Sequence, residues 1–246
     1  RFSINIRTEG QNVQHLKYGT SNAESLTLSF WVKSNKTGTY IAELMNNDAS
    51  YKHINKSYTI SSADTWEKKT LTFAGDTASG FDNDTNSSFV CAFWLGTGTN
   101  YSSGTLQTSW GSLNQANRAV GQVNLADSTS NYINITGVQL EVGTSASDFE
   151  FLPYDVNLQR CHRYYQDLGN IETFIAAGGS VWTVIPMSFL KEFRASPSLT
   201  YTWSGANSSN GALGVKDSRT FDVRYVTVSN SQSGGHAYTV KASAEL

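Results

Sequence analysis

Cysteine is almost missing from this chain. Only Cys91 and Cys161 occur, far apart in sequence, so neither a disulfide framework nor a thiolate zinc site can be argued and the fold must stand on packing. Proline is equally scarce, with three residues, and charge is sparse at 15%. No apolar run approaches the length of a membrane span and the first residues carry no signal-peptide pattern, so membrane insertion is not expected. The formal net charge of −2 divides into −3 for residues 1–152 (10 Lys+Arg against 13 Asp+Glu) and +1 for residues 153–246 (8 against 7). Neither half is basic enough to track a phosphate backbone, which excludes a nucleic-acid partner.

Catalytic signatures are absent as well. His15, His53, His162 and His236 are scattered, and no HExxH, GxSxG, GxGxxG or P-loop pattern occurs. A glycosidase needs two opposed carboxylates, and nothing in the sequence pairs any two of Glu43, Glu67, Glu141 and Glu150. The chain is therefore read as a non-enzyme.

What the chain does have is alternation and polar loops. Ser, Thr, Asn and Gly crowd the loops, and the length of 246 residues allows two domains with real cores. The opening FSINIR already alternates, so the numbering starts inside a strand and a longer parent protein is expected upstream. SLTLSFWVKS sets Leu26, Leu28, Phe30 and Val32 against Thr27, Ser29, Trp31 and Lys33, the pattern of a half-buried antiparallel strand. Further strands are expected at residues 38–45, 57–60, 65–73, 89–95, 118–125 and 132–142. Eight or so strands with no helix between them predict a jelly-roll β-sandwich over residues 1–152. In the last strand Ile133 and Ile135 are apolar at odd positions and Val138, Leu140 and Val142 at even ones. A glycine at that flip, Gly137, predicts a β-bulge.

Beyond Val142 the pattern changes. Asp155 can cap a short linking helix over 153–168, on which Leu158, Cys161 or His162, Tyr165 and Leu168 recur at helical spacing. Alternation resumes in VWTVIPMSF, SLTYTW, RTFDVRYVTVS and HAYTVKAS, with SGANSSNGALG and SNSQSGGH as turns, which predicts a smaller antiparallel β-domain over 169–246 with Pro186 at an edge or bulge. The whole is an all-β chain.

Aromatics, at 12%, carry the binding chemistry. Planar rings stack on the C–H faces of sugars while amides and hydroxyls meet sugar hydroxyls. Residues 94–118 hold that mixture, and Trp94, Tyr101, Trp110, Asn117 and Arg118 are the candidate ligand-binding residues; Trp31 and Trp66 are read as buried supports. Asp82, Asp84 and Asn86 alternate as in the first half of an oxygen-ligand calcium loop, without the glycine and closing Glu of an EF-hand. A structural calcium is the alternative there to a solvated acidic turn, and no other cofactor is expected.

The succession SLTLSFWVKSNKTGTY, TWEKKTLTF, NITGVQLEVG, FEFLPYD and CHRYYQ resembles the distal part of tail-fibre and related virion proteins of bacteriophages, especially marine podoviruses of cyanobacteria. Its first part is similar to carbohydrate-binding-module jelly rolls, and the resemblance covers most of residues 9–166. It implies a homotrimeric appendage exposed on the virion, joined to other virion proteins through an upstream region and binding host surface polysaccharide. A capsid or tail decoration protein without glycan binding is the alternative, and a tailspike-like hydrolase a third, disfavoured by the lack of solenoid repeats. In the trimer Leu158, His162, Tyr164, Tyr165 and Leu168 are the expected interface residues.

Overall fold

The computed structural model describes residues 1–175, 182–205, 208–227 and 234–245. The chain forms two compact units, residues 1–150 and 151–246. Both are built from antiparallel sheets.

The first unit has seven strands: β1 (Phe2–Glu9), β2 (Leu26–Ser34), β3 (Gly38–Asn46), β4 (Lys52–Ile60), β5 (Glu67–Phe73), β6 (Ser87–Gly96) and β7 (Ile133–Val142). They make a four-stranded sheet in the order β1-β6-β3-β4 and a three-stranded sheet in the order β5-β2-β7. Only the β3–β4 step stays within one sheet; every other connection crosses to the other, which is how a β-sandwich of jelly-roll type winds. The core lies between the sheets. Leu28, Phe30 and Val32 from β2 meet Tyr40, Ala42 and Leu44 from β3 and Phe89, Cys91 and Phe93 from β6. Phe30 stands edge-on to both Tyr58 and Phe93 with ring centres 5.0 Å apart. Burial at this density pushes the Cys91 thiol up to about 12, so it acts as a small apolar group.

Gly137 carries the expected bulge. Ser29 pairs with Gln139 and Trp31 with Thr136, so Gly137 and Val138 together face one residue of β2. Gly137 has φ +57°, a left-handed conformation that costs a side chain energy, and a Cβ there would stand 3.4 Å from the Trp31 ring. The bulge turns Val138 and Leu140 back toward the core.

Two expectations for this unit change. Residues 118–125 form no strand: Arg118 follows a 3-10 turn, Gly121 has φ +81°, and Asn124 caps a second 3-10 turn through Ala126 N. Trp31 and Trp66 are not buried supports, being 43% and 42% exposed.

The second unit begins with α1 (Tyr154–His162) and continues in β8 (Tyr165–Ile175), β9 (Trp182–Ser188), β10 (Ser198–Gly205), β11 (Ser208–Val215), β12 (Thr220–Thr227) and β13 (Gly234–Ser243). The sheets run β10-β13-β8 and β11-β12-β9, around a core that includes Phe189, Phe193, Phe221, Val223 and Val240. The helix is shorter than its spacing predicts. Tyr165 and Gln166 pair with Ser243 and Ala242, and that ladder takes residues 165–168 out of the helical register. Asp155 lies in the first turn rather than at the cap, which is Pro153. β11 occupies most of the stretch read as a turn, because its backbone pairs with β12 whatever its side chains. Pro186 lies on β9, an edge strand of its sheet, opposite Asp222.

Replacing Gly137 with Ala should destabilise the first unit by about 1–2 kcal/mol through the left-handed backbone alone. Urea unfolding of the full chain, followed by the transition of the first unit, measures it.

Candidate functional site

Alternation gives the four-stranded sheet a second face, turned away from the core. On β1 it carries Asn5 and Arg7, on β6 Val90, Ala92 and Trp94, on β3 Ile41, Glu43 and Met45, and on β4 His53 and Asn55. Such a face would ordinarily be wetted. Here the long connection from β6 to β7 folds across part of it. Ala119 packs with Ile41 and Trp94 in a small core of its own, joined by Tyr101 and Leu106. The same connection caps the open edge of β4: His53 N donates to Gly111 O (3.0 Å), Gly111 N to His53 O (3.2 Å) and Asn55 N to Gln107 O (2.7 Å).

Under this cover lies Glu43, 1% exposed. Arg118 reaches it with two parallel bonds, Nε to Oε1 at 2.8 Å and Nη2 to Oε2 at 2.7 Å. Trp94 Nε1 donates to Oε2 (3.1 Å), and His53 Nδ1 lies 3.1 Å from Oε1. Asn55 Nδ2 also lies 3.1 Å from His53 Nδ1, and Asn114 N donates to His53 Nε2 at 3.5 Å. The Arg118 guanidinium also sits 4.9 Å from the centre of the Trp94 ring. Burial drives the Glu43 pKa upward, but the bonds from His53 and Arg118 outweigh it and hold the carboxyl below the ordinary glutamate range.

Beside this cluster the face opens into a groove of about 370 Å³. Glu43 and Arg118 form part of its lining with Met45, Val90, Ala92 and Leu113, and Arg1, Asn5, Arg7, Asn47, Tyr51 and Gln115 supply polar groups. Tyr51 is 53% exposed, a ring with an open face. Gln115 Oε1 accepts from Arg118 Nη1 at 3.0 Å, tying the groove to the buried ion pair. Arg1 and Arg7 form no salt bridge among the described residues, whereas Glu43, the one carboxylate in the lining, is saturated.

The structure brings three of the five candidate ligand residues together. Trp94, Tyr101 and Arg118 share the cluster, with Tyr101 5.4 Å from Trp94. Trp94 is buried, so it supports the groove from beneath and offers no open ring. Trp110 turns away: Nε1 donates to Ala74 O (2.6 Å) and its ring meets Tyr18 edge-on. Asn117 holds the connection together by accepting from Thr105 N at 3.0 Å. The groove's own Asn5, Arg7, Asn47, Tyr51 and Gln115 lie on three separate segments, β1, the β3–β4 turn and the β6–β7 connection, and the signal that could have found Asn5 and Arg7 is their polar parity in FSINIR.

Of the calcium-loop residues, Asp84 Oδ1 accepts from Asn86 N (2.9 Å) and Asp82 N donates to Asp48 Oδ2 (2.9 Å). Among the described residues no cluster of three or more His, Cys, Asp or Glu forms. Of the interface candidates, Leu168 packs on the core of the second unit, while Leu158 and Tyr165 are well exposed and His162 and Tyr164 half-buried.

Removing Arg118 strands a buried carboxylate, so Arg118→Ala should cost the first unit about 3–5 kcal/mol, and adding Glu43→Leu should recover part of that loss. Because the folded pKa of Glu43 is depressed, the stability it contributes is present above the ordinary glutamate pKa and is lost as pH falls through the lower folded value. Thermal melts across that acid window should bring the wild type and the double variant together.

No protein-family model matches the chain, and no curated protein matches it. Among solved structures it is similar to recombinant discoidin II of Dictyostelium discoideum, at 9% identity over 91% of this chain and 75% of that one, with a TM-score of 0.26. Wild-type discoidin II of the same organism gives 10% identity over 89% and 71%, with a TM-score of 0.25. At these scores the likeness assigns neither fold nor ligand; the β-sandwich rests on the strand ladders themselves.

Proposed function

We propose that the chain is part of a phage virion appendage, a tail fibre or fibre-like structure, whose first unit binds host surface glycans in the groove over β1, β6 and β3. The groove's lining carries the reading. The amides of Asn5 and Gln115 and the Oδ1 of Asn47, whose Nδ2 donates to Ser87 O, match sugar hydroxyls, Tyr51 offers a stacking face, and Arg7 adds a guanidinium in no salt bridge among the described residues, all on a base stiffened by the Glu43–Arg118 pair. Binding here is without turnover. Hydrolysis of a glycosidic bond uses two opposed carboxylates, and the groove's single one is committed to Arg118 and held in its charged form. Such a site calls for no cofactor, and calcium, if the Asp82–Asn86 loop takes it, is structural.

The virion setting and the homotrimer rest on the resemblance of the sequence. The helix supports self-association: α1 buries no residue, and Val156 and Leu158 stay 38% exposed, an apolar surface that copies related by a three-fold axis would cover.

On a glycan array the full chain should bind a restricted set of surface glycans, and Tyr51→Ala or Arg7→Ala should weaken that binding at least tenfold with the fold intact. Unchanged binding in both variants would leave the decoration role instead. Light scattering at micromolar concentration should give a trimer mass; a monomer would count against the appendage.

A further inference from the structure

The opposite face of the sandwich carries a second unexplained surface. On the β5-β2-β7 sheet Leu28, Phe30 and Val32 point inward, so Trp31 points out, and it is 43% exposed. Trp66 directly precedes β5, one residue before the Glu67–Val32 pair, and is 42% exposed. Phe149, also 42% exposed, comes from the strap after β7, which Glu150 N fastens to Gln139 Oε1 at 2.8 Å. The bulge draws these rings together: a Cβ at Gly137 would lie 3.4 Å from Trp31 and 3.9 Å from Phe149, so both flank the one residue that has no side chain.

Large apolar rings in water are costly to leave without purpose, and two tryptophans and a phenylalanine on one sheet face form a patch rather than scattered exposure. The surface also carries two lysines beside the rings. Lys68 lies directly across the ladder from Trp31, and Lys33 Nζ stands 5.6 Å from the centre of the Trp66 ring. Neither lysine forms a salt bridge among the described residues, and Glu141, the carboxylate that feels Lys68, is tied to Ser147 and Gln139. Flat rings that accept the C–H face of a sugar, set beside ammonium groups held in no salt bridge among the described residues, match one kind of ligand.

We propose that this face is a second saccharide-binding surface, independent of the groove on the other sheet, which takes an extended acidic polysaccharide across Trp66, Trp31 and Phe149 with its carboxylates toward Lys33 and Lys68. A groove holds a short stretch of sugar from its sides; a flat platform holds a chain by its face.

Affinity electrophoresis of the full chain through gels containing polygalacturonate, with dextran as the neutral control, tests it. The acidic polymer should retard the wild type and dextran should not. Trp31→Ala and Trp66→Ala should each raise the apparent Kd at least tenfold, Lys68→Glu should do so without removing a ring, and Tyr51→Ala should stay within twofold, each variant melting as the wild type does. Absence of retardation by polygalacturonate, or equal retardation of the wild type and both tryptophan variants, would overturn the proposal. So would loss confined to Tyr51→Ala, which would leave the groove as the site. A lower sedimentation mass in Trp31→Ala would instead make this face an interface between copies. Glycan-array binding that survives Trp31→Ala but not Tyr51→Ala separates failure here from failure of the groove.

Discussion

The first unit is organised by one carboxylate held out of water on the wrong side of its sheet. Glu43 faces away from the main core, and a buried, unpaired carboxylate there would take a large share of the stability of an ordinary domain. It is tolerated because Arg118, His53 and Trp94 converge on it. That requirement fixes the path of the connection that delivers Arg118 and places the small core of Ile41, Trp94 and Ala119 beside it. A connection of this length without strands of its own is uncommon in a compact domain unless it carries function. Its position beside the groove agrees with that rule.

Each sheet of the sandwich thus presents an outer face with its own chemistry. On the β1-β6-β3-β4 side the connection narrows the surface into a groove with a charged, rigid base. On the β5-β2-β7 side the short strap after β7 is fastened to Gln139 and Glu141, and Trp31, Trp66 and Phe149 keep more than two fifths of their surface exposed. The difference follows from where the polypeptide spends its long loop. Strand ladders alone would have left both faces flat.

Much of this fold was legible in the sequence because most of its strands alternate. The parity flip at Gly137 located a bulge without any coordinates, since one extra residue must re-aim every later side chain. Parity also placed Trp31 among Thr27, Ser29 and Lys33, the polar set, and burial there was expected against that signal only because tryptophans are usually covered. SSFVCAFWLG is different: it is apolar on both faces, so nothing in it distinguishes Trp94, covered by the connection, from a ring in water. Residues 118–125 look like a strand because Val120, Gln122 and Asn124 are compatible with extended backbone; only the distant Glu43 explains why Arg118 goes elsewhere. β8 and β11 were missed for the converse reason, as glycine- and polar-rich segments held by their neighbours' backbones.

The capping of β4 has a consequence for how such a molecule can change. The bonds that close this edge run from backbone to backbone, through residues 53, 55, 107 and 111, and are indifferent to the side chains those residues carry. Substitutions in the connection can therefore accumulate without exposing a strand to stray pairing, provided Arg118 still reaches its partner. The edge seal and part of the groove's lining occupy the same stretch of polypeptide but draw on different atoms of it, which leaves the lining open to diversification while the scaffold stays closed.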